Sequence, residues 1–344
     1  APFLDLPTLY RQRPDGRGSQ GLMRRVAIGV DLGGTIVRAG AISADGRLLA
    51  VGEIPIEAAR GPEPGLRSIQ GLIEQVRAES ETESLIGIGI GSTGPVDPVR
   101  GTIHNPYTLP TWEAVPITGW MQKAFDVPVT LENDADAAAL GEYWYGAGRS
   151  VKRLFAVTVG TGVGTALIQD GQIYRGLNGL HPEAGHMLLD PAGPPCYCGA
   201  HGCWESFCAG PSIVRDVLEM DLSHSILLQM AGGAPEIIDA RMVTEAARLG
   251  DPAARQAMDK AARYFGLGIV NVIIAFLPEM IVLSGGLMKS SDLFLPAAQQ
   301  AIQTHSVMIP AGQVRILPAQ LGYHAGLYGA AYSIWSKENG QSEK

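Results

Sequence analysis

The chain has 344 residues, a formal net charge of −8 and 46% hydrophobic residues. Its 44 glycines far exceed an ordinary usage of roughly 7%, yet the hydrophobic content excludes a disordered chain and the lack of a Gly-X-Y period excludes a collagen-like one. The acidic balance offers no basic field to a nucleic-acid backbone, and no apolar run reaches the length of a membrane span.

Residues 1–24 hold Pro2, Pro7 and Pro14 with several arginines and little periodicity, and read as an N-terminal arm without a secretory signal. From Arg25 the pattern changes. Val26–Val30 is a buried-strand run, a Gly-Gly turn follows, Ile36–Ile42 is a second strand, and Asp45-Gly46 signals a hairpin into a third strand over Leu48–Ile56. Helical spacing over Leu66–Ser80 leads to a strand at Leu85–Ile90. The same grammar returns about 125 residues later: strand 154–159, glycine turn 160–164, strand 166–168, turn Asp170-Gly171. Such a repeat implies two similar α/β lobes. Helices are expected at 211–220, 239–249, 252–275 and 293–304, with a strand at 280–283 that ends in Ser284-Gly285-Gly286.

Three segments carry chemistry. In Asp31-Leu32-Gly33-Gly34-Thr35, glycines let backbone N–H groups approach an anion, Thr35 adds a hydroxyl, and Asp31 is placed to hold Mg2+ directly or through water. Gly160-Thr161-Gly162 offers the same donors, and two such turns suit one polyphosphate. Neither turn matches a P-loop or a dinucleotide fingerprint. In Glu132-Asn133-Asp134, a strand runs into an Ala-rich helix. Asp134 either caps that helix or, facing a cleft, accepts the proton of a substrate hydroxyl, while Asn133 fixes neighbouring hydroxyls.

The cluster His186, Cys196, Cys198 and Cys203 supplies the four ligands of a closed, structural tetrahedral Zn2+ site. His201 and Cys208 are the alternatives, although Cys208 fits a buried thiol on the following helical segment. Four cysteines confined to 196–208 do not form a secreted disulfide framework, which makes the cytoplasm the expected location. Glu183 and Glu205 flank the cluster, and a metal-ordered loop would fix both carboxylates for hydrogen bonding to a polyhydroxylated ligand.

Together these motifs resemble the ROK family of repressors, open reading frames and sugar kinases, in the actin/hexokinase superfamily. The resemblance runs from Arg25 to about Trp335 and includes Gly91-Ser-Thr-Gly-Pro-Val-Asp97, Asn105 ahead of Trp112, Glu183-Ala-Gly-His186, and the cysteine segment ending at Glu205. It implies an α/β fold of two ribonuclease-H-like lobes with a central cleft. The expected division is 25–135 for the small lobe, with a C-terminal helix 325–339 packing back on it, and 136–324 for the large lobe.

The implied activity is ATP- and Mg2+-dependent phosphorylation of the 6-hydroxyl of an aldohexose, glucose first. Asp134 is the implied general base; Gly94, Asn105, Asn133, Glu183, His186 and Glu205 bind the sugar. Asp31, Gly33, Gly34, Thr35, Thr161 and Gly162 surround the phosphates, with Gly285 and Gly286 beside the nucleoside. The resemblance further implies a homodimer. Alternatives are a kinase for N-acetylmannosamine or N-acetylglucosamine, and a sugar-responsive transcriptional regulator; the 24 residues before Arg25 are too few for a winged helix-turn-helix. Three positions depart from the common pattern: Ile36 replaces a polar residue, Thr165 a glycine, and His181-Pro182 small residues.

Overall fold

The computed structural model describes residues 25–341 apart from 57, 82–83, 107 and 307–310. The arm expected over 1–24 lies outside the described residues. Two compact units emerge, one of 25–150 with 170–173 and 320–341, the other of 151–169 with 174–319.

The first unit opens with β1 (Arg25–Leu32), β2 (Ile36–Ser43) and β3 (Leu48–Pro55), joined by the two turns expected from the glycine signals. Helix α1 (Pro62–Glu79) crosses over to β4 (Ser84–Ser92). A two-residue pair, β5 (Val96–Asp97) and β6 (Thr102–Ile103), precedes α2 (Ile117–Phe125), β7 (Val129–Asn133) and α3 (Asp134–Trp144). The sheet order is β3-β2-β1-β4-β7. β1 pairs antiparallel with β2 and parallel with β4, which pairs parallel with β7. Val26, Ile28, Val30 and Leu32 enter one core with Ile69, Ile73 and Trp112. The opposite face carries Gly29, Gly87 and Gly89, and the C-terminal helix lies on it.

The second unit begins with β8 (Arg153–Val159) and β9 (Val163–Gln169), an antiparallel pair. The short β10 (Gln172–Ile173) belongs to the first unit. Helices α4 (Glu205–Cys208), α5 (Gly210–Leu218), α6 (Ile226–Met230), α7 (Ala240–Arg248) and α8 (Pro252–Phe276) follow. Next come β11 (Met280–Ser284), α9 (Ser291–His305) and β12 (Arg315–Pro318). Within this unit the strands run β9-β8-β11-β12, with β11 parallel to both neighbours. The pairing pattern of the first sheet is thereby repeated, as the duplicated strand-turn grammar predicted. Phe155, Val157, Phe265, Ile269 and Ile273 lie in its core.

The final helix, α10 (Ala325–Gln341), packs on β1, β4 and α3. The approach is too close for side chains. A Cβ on Gly89 would stand 1.7 Å from the Ala330 carbonyl oxygen, and one on Gly329 would stand 1.6 Å from that of Ala137. Much of the glycine excess therefore serves packing rather than ligand binding. Helix α3 stays with the first unit because Gly141 and Gly329 seat it against α10, so the change of unit falls after Ser150 rather than after residue 135.

Candidate active site

In the first unit, the end of β1 presents Asp31. Its register partner on β2 is Arg38, whose Nη1 lies 3.2 Å from Asp31 Oδ2. Arg38 also bonds Glu53 at 3.1 Å and stacks on Tyr323, with 3.8 Å to the ring centroid, so three contacts hold its guanidinium. Burial pushes the Asp31 carboxyl up, against the pull of Arg38 downward. The turn beyond is closed by Gly33 N–H bonding Ile36 O at 3.0 Å. Gly34 abuts Thr108, where a Cβ would come within 2.9 Å of its carbonyl oxygen. Thr35 is exposed at the tip.

β7 delivers Asn133 as the N-cap of α3, its Oδ1 accepting the Ala135 N–H at 2.9 Å. Asp134 is thus the first helical residue rather than the cap, and its Oδ1 accepts the same N–H at 2.8 Å. Its Oδ2 has no protein partner among the described residues. The Asp134 carboxyl is pushed up to about 6, first by desolvation and then by the charges of Asp31 and Asp136, against the Ala135 hydrogen bond. The residue nevertheless remains exposed and reachable at the surface. A reachable carboxylate of that basicity is suited to taking a hydroxyl proton. Asp136, also in the first turn of α3, is fully buried.

Asn105 does not present a free amide. It is fully buried, donating to Thr93 O at 3.1 Å and Thr108 Oγ1 at 2.7 Å and accepting the Thr108 N–H at 3.1 Å. Its polar groups fix the loop beside Gly34. Gly94 packs on Asn133, whose Nδ2 lies 2.8 Å from where a Cβ would be.

In the second unit, Thr161 and Gly286 line one cavity of about 880 Å3 together with Gly160, Pro211, Arg241 and Lys289. Gly160 N–H bonds Gly162 O at 2.9 Å, closing the turn. Gly285 (φ 96°) turns the chain after β11 where a Cβ would strike Val159 O at 2.3 Å. Arg241 and Arg248 of α7 and Lys289 in the turn after β11 line this cavity and were missed from sequence, because cations at such positions look like an ordinary solvated face.

The metal-ligand expectation meets a consistent geometry. One donor atom each from His186, Cys196, Cys198 and Cys203 lies within 4.8 Å of the others. His186 Nδ1 is 3.5 Å from Cys196 Sγ, and Cys198 Sγ is 3.6 Å from Cys203 Sγ. A tetrahedral ion with Zn–S bonds of about 2.3 Å separates its sulfurs by about 3.8 Å. The donor set and spacing therefore fit Zn2+, and all four cysteines are free of disulfides. The hairpin that gathers them relies on Gly202 (φ 73°), where a Cβ would stand 1.6 Å from Asp190 O. His201 stands apart, its Nδ1 3.4 Å from Gly193 O, and Cys208 is a buried thiol donating to Trp204 O at 3.3 Å. His186 Nε2 lies 3.2 Å from the Tyr197 hydroxyl.

Glu205 is buried at the start of α4, and its Oε2 accepts the Val163 N–H at 2.9 Å. It thus ties the cysteine hairpin to the glycine turn, with Gly162 leaving the necessary space: a Cβ there would meet Oε2 at 2.3 Å. Glu183 is exposed, and its Oε1 lies 3.3 Å from His181 Nε2.

Repeated strand-turn sheets, a carboxylate at a strand-helix junction and a Cys3His hairpin define an α/β protein built on a duplicated sheet plan. The chain matches the ROK family over residues 27–337 and belongs to it. It is 33% identical over 314 residues to a glucokinase of Thermotoga maritima, covering 91% of this chain and 98% of that one. Among solved structures, a ROK hexokinase from Thermus thermophilus superposes with a TM-score of 0.77 at 32% identity, over 91% of this chain and 99% of the other. A ROK family glucokinase from Streptomyces griseus in complex with glucose and AMPPNP gives 0.72 at 32% identity, over 90% and 98%. The fold is accordingly that of the actin/hexokinase type.

Proposed function

We propose that the chain is an ATP-dependent hexose kinase that phosphorylates the 6-hydroxyl of an aldohexose, with glucose as the preferred acceptor. The observation that carries this is Asp134: a reachable carboxylate with one oxygen unspent on the helix and a pKa of about 6. Such a group is ionised at neutral pH yet basic enough to take a hydroxyl proton. Similarity to a glucokinase over 91% of this chain and 98% of that one, and to a glucokinase structure over 90% and 98%, supports the same reading.

The phosphoryl transfer itself asks for positioning and charge neutralisation. Gly34, Thr35, Thr161 and Gly162 offer N–H and hydroxyl donors for the phosphates, Gly33 closes the turn beside them, and the cavity bearing Gly286 takes the nucleoside. Asp31, steadied by Arg38, would hold Mg2+, which neutralises phosphate charge when bound. Asn133, Glu183 and His186 hydrogen-bond sugar hydroxyls, while Asn105 and Glu205 act mainly by holding the loops around them. Zn2+ on His186, Cys196, Cys198 and Cys203 would clamp the hairpin between Glu183 and Glu205, leaving no open position for chemistry. The protein acts as a cytoplasmic homodimer on this reading.

The test is a coupled ADP assay with ATP and Mg2+ over glucose, mannose, N-acetylglucosamine and N-acetylmannosamine. Glucose gives the highest kcat/KM; absence of ADP with every sugar overturns the proposal, and preference for an N-acetyl sugar reassigns the acceptor.

A further inference from the structure

Two peculiarities of the sequence meet at one place: Thr165 on β9 and His181-Pro182 ahead of Glu183. Thr165 is buried, and its hydroxyl uses both of its bonding functions on the loop. It accepts the Ala184 N–H at 3.1 Å and donates to Pro182 O at 3.1 Å. Those two backbone groups flank Glu183 on either side. Pro182 has no N–H, so its own backbone offers the loop only a carbonyl, and Thr165 takes it.

A second anchor follows at once. Gly185 lies so close to β9 that a Cβ would stand 2.1 Å from Val163 O. The carboxylate of Glu183 is held as well, by His181 Nε2 at 3.3 Å. Glu183 is therefore fixed through both neighbouring peptides and through its own carboxylate, although the side chain is exposed. A glycine at 165 has no hydroxyl, and the buried Ala184 N–H would then lose its partner unless the loop moved.

We propose that Thr165 and His181 are positioning residues that set the orientation of Glu183 and thereby the affinity for the acceptor sugar. The proposal rests on the kinase reading, in which Glu183 binds a sugar hydroxyl.

The test compares T165V, T165S and H181A by steady-state kinetics with glucose and ATP. T165V raises the glucose KM about tenfold, the order of one lost hydrogen bond, and leaves the ATP KM and kcat within about twofold. T165S keeps the hydroxyl and restores the glucose KM to near wild type. H181A raises the glucose KM and spares that of ATP. In an E183Q background T165V has no further effect on the glucose KM. A T165V that moves neither KM, or both alike, overturns the proposal, as does an additive effect on top of E183Q. Should T165V fail to fold, H181A decides: an unchanged glucose KM overturns it.

Amide exchange gives a readout that needs no turnover. The Ala184 N–H exchanges faster in T165V than in wild type and T165S, and equal rates overturn the bridge. A wild-type chain that forms no ADP with any hexose defeats the kinase reading instead, and Thr165 is then judged on exchange alone.

Discussion

Asn133 and Asp134 both accept one backbone N–H, that of Ala135, at 2.9 and 2.8 Å. The N-cap duty falls to Asn133, which leaves Asp134 Oδ2 for a substrate. Asp134→Asn keeps the shape and removes the base. Turnover should fall by about 10²–10⁴-fold, the usual share of general-base catalysis, while glucose binding followed by calorimetry stays within about threefold. Undiminished turnover would remove Asp134 from its role.

The pH profile follows from the same carboxyl. Its pKa of about 6 makes kcat/KM for the hexose rise about tenfold per pH unit below that value and level off above it. Stability moves the other way. The folded pKa lies above the ordinary carboxyl value of 3.8, so the folded state holds this proton more tightly. That contribution is present below about 3.8 and is lost as pH rises through about 6. Asp134→Asn, a mimic of the neutral acid, should therefore raise Tm at pH 7.5, and the gain should shrink toward pH 4. A Tm gain that grows on acidification contradicts the sign.

The duplicated hairpins could be recognised from sequence because their turns are local: glycine and Asp-Gly signals mark them directly. The cysteine hairpin could be recognised because thiols and imidazoles within a short span have few other uses. What stayed hidden depends on distant partners. Gly89 falls within the strand expected over Leu85–Ile90, yet its place is set by Ala330 on a helix far along the chain. Asn105 was expected to bind sugar, but Thr93 and Thr108 occupy its amide. Thr165 stood out only as a departure from the family pattern, and its reason is a loop that no local pattern places beside it.

The two glycines after β11 should separate folding from binding. Gly285 has a positive φ and would drive a Cβ to 2.3 Å from Val159 O, so Gly285→Ala should cost at least about 2 kcal/mol. Gly286 lines the cavity, and a Cβ there meets nothing within 4 Å. Gly286→Leu should leave Tm within a degree or two of wild type, since it strains no backbone. Its side chain should nevertheless raise the ATP KM severalfold and leave the glucose KM alone. If Gly286→Leu shifts the glucose KM instead, the cavity is not the nucleotide site.

The cysteine hairpin lends itself to metal analysis. Freshly purified protein should contain about one Zn2+ per chain, because three thiolates and an imidazole complete a tetrahedral shell. Cys203→Ser removes a ligand from a buried position and should lose the metal, lower Tm and raise the glucose KM, since the segment linking Glu183 to Glu205 would lose its clamp. Cys208→Ala is the matched control. That thiol donates to Trp204 O from within α4 and lies outside the cluster, so its loss should leave the metal content unchanged. Protein that holds no zinc, or a Cys208→Ala variant that loses zinc while Cys203→Ser retains it, would refute the ligand set.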